Sequence, residues 1–281
     1  MSASTHSPPA LSELEELTTL LDERDRRHNT NRIRQYFPDE GPLRRELYPK
    51  HTEFFKLGAH HKERLMLAAN RVGKTESVGG YELTCHLTGE YPDWWEGRKW
   101  TRPIKAWAGG DTGQTVRDII QLKLMGHPGQ EGTGLIPERC LGRITRRPRI
   151  PDAIDQVQVK HKSGGWSVVG FKSYDQGRKS WQGTEQDVIW FDEEPPQSVY
   201  AEGLVRTMTT DGMAMLTFTP LMGLSDVVLA FLPGGKLPEE SSDKAVVTAT
   251  WDDAPHISHE QRESLWSSIP PFQRDARSKG V

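Results

Sequence analysis

The chain has 281 residues and a mass of 31.8 kDa, which is enough for one large domain or two small ones. Its 36 Lys and Arg against 39 Asp and Glu give a net charge of −3, so a nucleic-acid surface would have to be a local basic patch. Two cysteines exclude a disulfide scaffold and a multi-cysteine zinc site. No apolar run approaches the roughly 20 residues of a membrane-spanning helix. We expect a soluble protein of a reducing compartment.

The N-terminal region precedes the segments that are predicted to form the core. Residues 1–10 are small and polar and are expected to be disordered, whereas leucines at helical spacing over 11–27 predict an amphipathic helix. We assign 1–44 to this tail and helix, 45–250 to the main domain and 251–281 to a polar, helical C-terminal part. The chain stops there without a closing element, which indicates a fragment of a longer protein.

Short apolar runs alternate with helical patterns through the centre of the chain. Strands are predicted at 64–69, 104–109, 187–191, 213–219 and 245–250, and helices at 75–87 and 114–125, the latter with Asp111 as its candidate cap. Alternating segments at 155–160 and 166–172 flank Ser163-Gly164-Gly165, which is a hairpin signal. The alternation predicts an α/β protein with a mostly parallel central sheet, flanking helices and an added β-hairpin.

A candidate phosphate loop lies between the first predicted strand and the helix that follows. It matches the pattern G-x-x-x-x-G-K-[ST] at every fixed position except the first, where Ala68 replaces glycine. In this pattern backbone N–H groups surround a phosphate at a helix N-terminus. The predicted nucleotide-binding residues of the loop are Ala69, Asn70, Arg71, Val72, Gly73, Lys74 and Thr75. We expect Lys74 to reach the β- and γ-phosphates and Thr75 to hold Mg²⁺. The alternative is a plain strand–turn–helix that happens to contain Gly-Lys-Thr.

A second acidic motif follows the strand at 187–191. Four apolar residues are followed there by Asp192 and Glu193, and ligands bind at the carboxyl ends of parallel strands. We therefore expect Asp192 to bind Mg²⁺ and Glu193 to polarise the attacking water. Glu194 is the weaker candidate for this base, since its side chain is expected on a different face. A solvated acidic turn is the alternative for the whole motif.

An aromatic and polar stretch precedes the phosphate loop by about 20 residues. Residues 48–55 offer an aromatic side chain for stacking and a polar group for the base edge, which would suit adenine, and Lys50 is predicted to bind the nucleotide. The alternative is a helix that packs Phe54 and Phe55 into the core.

Four segments together resemble the ATPase portion of the large terminase subunits of tailed double-stranded DNA phages. They are Ala-Asn-Arg-Val-Gly-Lys-Thr at 69–75, Val-Ile-Trp-Phe-Asp-Glu-Glu at 188–194, Leu-Thr-Phe-Thr-Pro at 216–220 and Thr-Trp-Asp-Asp-Ala-Pro-His at 250–256. The resemblance covers roughly residues 45–275. It implies a P-loop ATPase of the additional-strand, catalytic-glutamate type, which uses ATP and Mg²⁺ to drive double-stranded DNA into a procapsid.

The resemblance also implies roles for two threonines and an arginine. Thr217 and Thr219 correspond to the coupling motif that senses the γ-phosphate, although β-branched strand filler is the alternative. Arg71 lies where some relatives carry a functional arginine. Arg178 is near the place of a trans-acting arginine, but the position directly before the glycine is Gln182 in this chain. Surface ion pairs are the alternative for both arginines.

Five arginines fall within residues 139–149, a segment that we predict to be a loop. Arg143, Arg146 and Arg147 are candidates for contacts with DNA phosphates or a neighbouring subunit, because arginine suits bidentate phosphate contacts. A solvated charged surface is the alternative.

The resemblance further implies partners and a setting. The partners are double-stranded DNA, the portal protein and the small terminase subunit, without a membrane. We expect a monomer in isolation, a homo-oligomeric ring of five on the capsid, and a location in the host-cell cytoplasm. No acidic triad follows residue 255, so we expect no nuclease activity from this chain. Two other functions stay open: another P-loop translocase or helicase, and a non-hydrolysing nucleotide-binding subunit that docks DNA. The residues after 220 are too few for a second helicase lobe.

Overall fold

The computed structural model describes residues 16–21, 23, 25, 30–236 and 243–280. Residues 16–21 are helical, within the helix predicted for 11–27, whereas the disorder predicted for residues 1–10 lies outside the described part. None of the helices found among the described residues combines the length and apolarity that crossing a membrane would need.

An eight-stranded sheet forms the body of the protein. Its strands are β1 Glu63–Ala68, β2 Lys105–Gly110, β3 Leu141–Arg146, β4 Ile154–Lys160, β5 Trp166–Ser173, β6 Val188–Asp192, β7 Met213–Phe218 and β8 Lys244–Ala249. They are ordered β3-β4-β5-β2-β6-β7-β1-β8. Along this order, every neighbouring pair from β5 through β2, β6, β7 and β1 to β8 is parallel. The pairs β3–β4 and β4–β5 are antiparallel.

Helices cover both faces of this sheet. They are α1 Pro49–Leu57; α2, which is π-helical over Lys74–Gly80 and α-helical over Tyr81–Thr88; α3, which runs through Gly113–Thr115, Val116–Gln121 and Leu122–Met125; α4 Gln197–Thr207; α5 Asp226–Phe231; α6 His259–Ser268; and α7 Arg274–Lys279. The first three contribute to one buried apolar cluster, and α4 and α5 contribute to a second.

Successive residues of β1 pack into these two clusters in turn. Met66 belongs to the cluster that contains Phe54 of α1, and Leu65 and Leu67 belong to the cluster that contains Phe231 of α5. Adjacent strand residues point to opposite faces, so a strand buried on both sides is a continuous apolar run. This explains why the central strands are visible in the sequence.

The predicted fold class is confirmed. Strand β7 lies between β1 and β6, which is the additional strand of this type of P-loop ATPase. Two local predictions were wrong. The basic segment predicted to be a loop contains the edge strand β3, whose arginines lie on a solvated surface and hide the strand pattern. Helix α3 is capped by Thr112 rather than Asp111, and the Thr112 hydroxyl accepts a hydrogen bond from the Thr115 amide.

A fully buried ion pair joins β1 to α2. The Arg64 guanidinium donates to both carboxylate oxygens of Glu82, at 2.8 and 3.0 Å, and to the Phe54 carbonyl of α1 at 2.7 Å. Both side chains have no exposed surface. His86 Nε2 lies 3.1 Å from the same carboxylate. The strand that leads into the phosphate loop is therefore fixed to both neighbouring helices.

We expect Arg64→Met to reduce the free energy of unfolding by about 3–5 kcal/mol, because it leaves the Glu82 carboxylate buried without its cation. Urea unfolding measures this loss. Adding Glu82→Gln should recover part of it by removing that charge. The matched control is Lys56→Met, which breaks the exposed pair with Glu96 and should cost less than about 1 kcal/mol. Equal losses in Arg64→Met and Lys56→Met would contradict the prediction.

Candidate active site

The connection from β1 to α2 forms a tight loop that fits a phosphate. Gly73 has φ of 91° and Arg71 has φ of 68°. A Cβ on Gly73 would lie 2.6 Å from the Ser77 hydroxyl, so a larger residue does not fit. Ala68, which replaces the first glycine of the pattern, is the last residue of β1 and has ordinary strand geometry. Its replacement therefore leaves the loop intact.

Two residues that are 117 positions apart meet at the start of α2. The Thr75 hydroxyl lies 3.0 and 3.2 Å from the two carboxylate oxygens of Asp192. The Thr217 hydroxyl donates to the same carboxylate at 2.9 Å and accepts from the Trp190 indole N–H at 2.8 Å. Mg²⁺ is commonly bound by one or two protein oxygens together with substrate phosphates and water. Thr75 and Asp192 are a donor set of this kind.

The Asp192 carboxylate is only 3% exposed. Its burial, and after that the negative charge of Glu193, raise the pKa of Asp192 to about 7, against the opposing effects of Lys74 and the two threonine hydroxyls. A buried carboxyl with so high a pKa is short of positive charge. A divalent cation held there by Asp192 and Thr75 would supply that charge and favour the ionised carboxylate.

Glu193 follows Asp192 in a left-handed conformation, with φ of 63°. This conformation is unfavourable for a residue with a side chain, and it turns the chain sharply at the end of β6. Asp192 is thereby buried, while the Glu193 side chain remains 48% exposed at the cavity, with Oε1 3.9 Å from Lys74 Nζ. Partial desolvation at the cavity wall raises the pKa of Glu193, and the positive charges of Lys74 and Arg277 oppose that rise.

Both predicted coupling residues contact the site. Thr217 bonds to Asp192, as described, and the Thr219 hydroxyl lies 2.7 Å from the Ala68 carbonyl and 3.0 Å from the Asn70 side-chain oxygen. The end of β7 therefore touches the acidic motif on one side and the phosphate loop on the other.

These elements surround a cavity of about 1220 Å³. Among the predicted site residues, its walls include Asn70, Arg71, Gly73, Lys74, Thr75, Asp192 and Glu193. Ala69 and Val72 are fully buried behind the loop. Tyr48 and His256 also line the cavity.

The structure does not bring Lys50 or Arg178 to this cavity. Lys50 Nζ pairs with Glu53 at 2.9 Å, and Arg178 is 59% exposed with its nearest carboxylate, that of Glu202, at 3.9 Å. Lys50 is next to the inward-facing His51 on α1, and a sequence pattern without clear periodicity does not tell these two positions apart.

The basic cluster lies at the far edge of the sheet from the phosphate loop, on and beside β3. Arg146 pairs with Glu131, and Arg147 contacts Asp155 and the Phe171 carbonyl. Arg143 is exposed on β3. Of the three predicted contacts, Arg143 therefore presents the most accessible cation.

Known phage proteins are similar to this chain in sequence. The family described as terminase large subunit, T4likevirus-type, N-terminal, matches residues 65–281. The terminase large subunit of Salmonella phage P22 is 37% identical over an alignment of 286 positions, which covers 95% of this chain and 54% of that protein. The chain thus spans about half the length of this curated relative.

Solved structures share the fold at low identity. The large terminase ATPase domain of Thermus phage P74-26 has a TM-score of 0.56 and 20% identity, over 84% of this chain and 96% of that domain. The large terminase of another thermophilic bacteriophage, in complex with ADP, has a TM-score of 0.52 and 14% identity, over 81% of this chain and 51% of that one. With a family match over most of its length and a relative 37% identical across 95% of it, the chain belongs to the terminase large subunit family and matches the N-terminal part of it.

Proposed function

We propose that this chain hydrolyses ATP as the motor domain of a viral DNA-packaging terminase. The observation that carries the proposal is the convergence at one cavity of Thr75 and Asp192, at 3.0 Å, with Lys74 facing Glu193 beside them. A non-hydrolysing docking subunit has no need of a strained glutamate that faces the phosphate-loop lysine.

Each of these residues has a separate task in the proposed reaction. The loop amides and Lys74 bind the phosphates of ATP. Thr75 and Asp192 would hold Mg²⁺, which would neutralise charge on the phosphate oxygens. Glu193 accepts a proton from the water that attacks the γ-phosphorus. The bond to the bridging oxygen breaks, and the products are ADP and inorganic phosphate.

The end of β7 is suited to transmit this reaction to the rest of the protein. Thr217 shares the Asp192 carboxylate with Thr75, and Thr219 contacts the phosphate loop. A change in charge at the γ-phosphate alters both contacts, and β7 is continuous with the core of the sheet.

The remaining features of the proposal concern the assembly. Arg71 at the cavity wall is placed to contact nucleotide within its own subunit, whereas the exposed Arg178 would act only on a neighbouring subunit. Double-stranded DNA, the portal protein and the small terminase subunit are the proposed partners, in a five-membered ring in the host cytoplasm. We retain 45–250 as the ATPase domain.

The direct test is ATP turnover by the purified chain and its variants. We expect Glu193→Gln to bind ATP and Mg²⁺ with an affinity near that of the wild type while turnover falls by about 100-fold or more, because a proton acceptor is lost. Lys74→Ala should lose binding as well. Turnover is measured by phosphate release and binding by titration with a fluorescent ATP analogue.

The matched control is Glu194→Gln, which neutralises the adjacent acid outside the cavity walls and should leave turnover within about twofold of the wild type. If Glu193→Gln turns over ATP as fast as Glu194→Gln does, this site is not the hydrolytic one.

The raised pKa of Asp192 predicts that the free energy of unfolding depends on pH. Between its unfolded pKa, near 3.8, and its folded pKa, about 7, the folded protein holds a proton that the unfolded chain has lost, so stability falls as pH rises. Asp192→Asn removes the ionisable group and therefore this loss of stability. Relative to the wild type without nucleotide, the variant should gain about 2–3 kcal/mol in free energy of unfolding between pH 5 and pH 8.

Urea unfolding at the two pH values, without Mg²⁺ or nucleotide, measures this difference. Glu194→Gln again serves as the control and should track the wild type. A difference between Asp192→Asn and the wild type that does not change with pH would refute the assignment of a buried, protonated Asp192.

The basic edge strand predicts a salt-dependent DNA contact. We expect Arg143→Ala to weaken binding of double-stranded DNA and to reduce the slope of log affinity against log salt by about 1, because one phosphate contact is lost. Arg146→Ala, whose cation already pairs with Glu131, should change that slope less. Fluorescence anisotropy over a salt series measures both slopes. Identical slopes for Arg143→Ala and the wild type would remove this contact.

A further inference from the structure

Three ring N–H groups hold the outer side of the phosphate loop. Each donates to one of three successive backbone carbonyls. The pairs are Trp251 Nε1 with the Asn70 carbonyl, His256 Nε2 with the Arg71 carbonyl and His51 Nε2 with the Val72 carbonyl, each at 2.9 Å. Trp251 and His256 of the segment 250–256 thus contact the phosphate loop, although the proposed reaction does not use them.

Holding the carbonyls outward fixes the orientation of the peptide units. A peptide that rotated would turn a carbonyl oxygen, in place of an N–H, toward the bound phosphate, and the two negative groups would repel. Arg71 is the residue most prone to relax, because its left-handed conformation costs about 1–2 kcal/mol. The hydrogen bond from His256 opposes that relaxation at the Arg71 carbonyl itself.

The geometry also fixes how each histidine is used. A carbonyl can only accept, so Nε2 of His256 carries its proton toward Arg71, and Nδ1 accepts from the Tyr48 hydroxyl at 3.2 Å. The Tyr48 ring stacks on His51, with centroids 5.3 Å apart. Burial lowers the pKa of His51 to about 4, so its ring is neutral and donates through Nε2.

Two of the three donors come from a rigid corner after β8. The Asp253 carboxylate accepts from the Thr250 amide at 2.8 Å, and the Thr250 hydroxyl accepts from the Asp252 amide at 3.1 Å. This capping arrangement fixes the turn that contains Trp251, and His256 follows it by three residues. Further along, the Asn70 amide donates to the Arg277 carbonyl of α7 at 2.8 Å. The C-terminal part therefore contacts the loop at the Asn70 and Arg71 carbonyls and at the Asn70 amide.

We infer that Trp251 and His256 are positioning residues, which keep the loop amides directed at the triphosphate and link the loop conformation to residues 250–277. The inference rests on the proposed function, because it assumes that nucleotide phosphates bind in this loop. Coupling between two parts is reciprocal. Nucleotide in the loop therefore stabilises the C-terminal segment, and that segment strengthens nucleotide binding.

The first test is the affinity of the 281-residue chain for Mg²⁺–ADP. His256→Phe keeps the ring and removes the N–H donor, and we expect the Kd to rise about 5- to 10-fold, which is the loss of a hydrogen bond of about 1 kcal/mol. His256→Gln restores a donor and should return the Kd to within about twofold of the wild type. His259→Phe is the matched control, because His259 is 87% exposed on the same segment and its ion-pair partner there is Glu263.

The second test is hydrogen exchange with and without Mg²⁺–ADP. In the wild type, nucleotide should slow amide exchange in both 69–75 and 250–277. In Trp251→Phe with His256→Phe, the slowing should persist at 69–75 and disappear at 250–277. A merely structural role would lower the unfolding temperature and leave this pattern unchanged. Should the double variant not fold, Tyr48→Phe removes only the hydroxyl that bonds to His256 and should raise the Kd about two- to threefold.

The outcomes separate the two proposals. A wild-type chain that binds no Mg²⁺–ADP overturns the proposed function. A wild-type chain that binds it, together with a His256→Phe variant of equal affinity and an unchanged exchange pattern, overturns the positioning role alone.

Discussion

The site depends on one carboxyl group, that of Asp192, which is almost fully removed from solvent at the cavity wall. Asp192 ends a strand buried on both faces, and its carboxylate is met by hydroxyls from Thr75 and Thr217 but by no cation in direct contact within the described residues. Two neutral donors do not offset the burial of a full charge. The raised pKa of Asp192, about 7, reflects this lack of compensating positive charge. The fold therefore tolerates a locally unfavourable arrangement that becomes favourable only when positive charge arrives.

The strand order connects the buried carboxyl of Asp192 with the phosphate loop. Because β7 lies between β1 and β6, its end separates the phosphate loop from the acidic motif. Thr217 lies in β7 and Thr219 directly follows its last residue; the first contacts Asp192 and the second contacts the end of β1. The end of β7 therefore contacts both the proposed metal ligand and the loop.

Much of this arrangement could be predicted from the sequence, for physical reasons. Central strands that are buried on both faces must be apolar throughout, and parallel strands must end at one edge, so the meeting of Thr75 and Asp192 follows from motif order. Strand β3 could not be predicted, because an edge strand with arginines on a solvated surface has the composition of a loop. The contacts of Trp251 and His256 could not either, since their partners are backbone carbonyls, which leave no residue pattern in the sequence.

The contacts on the outer side of the phosphate loop differ in strength from those that a phosphate would make on its inner side, and this difference suits the proposed motor function. Each ring N–H contact on the outer side contributes about 1 kcal/mol, which is comparable with the strain at Arg71 and small beside a charge-assisted phosphate contact. Such contacts can form and break as the charge on the substrate changes during a cycle. The buried pair of Arg64 and Glu82 at the other end of β1 cannot, because separating it costs several kcal/mol. The strand is thus anchored rigidly at its start and adjustably at its end. Under the proposed function, a change at the nucleotide would move the loop and the C-terminal segment while the sheet stays in place.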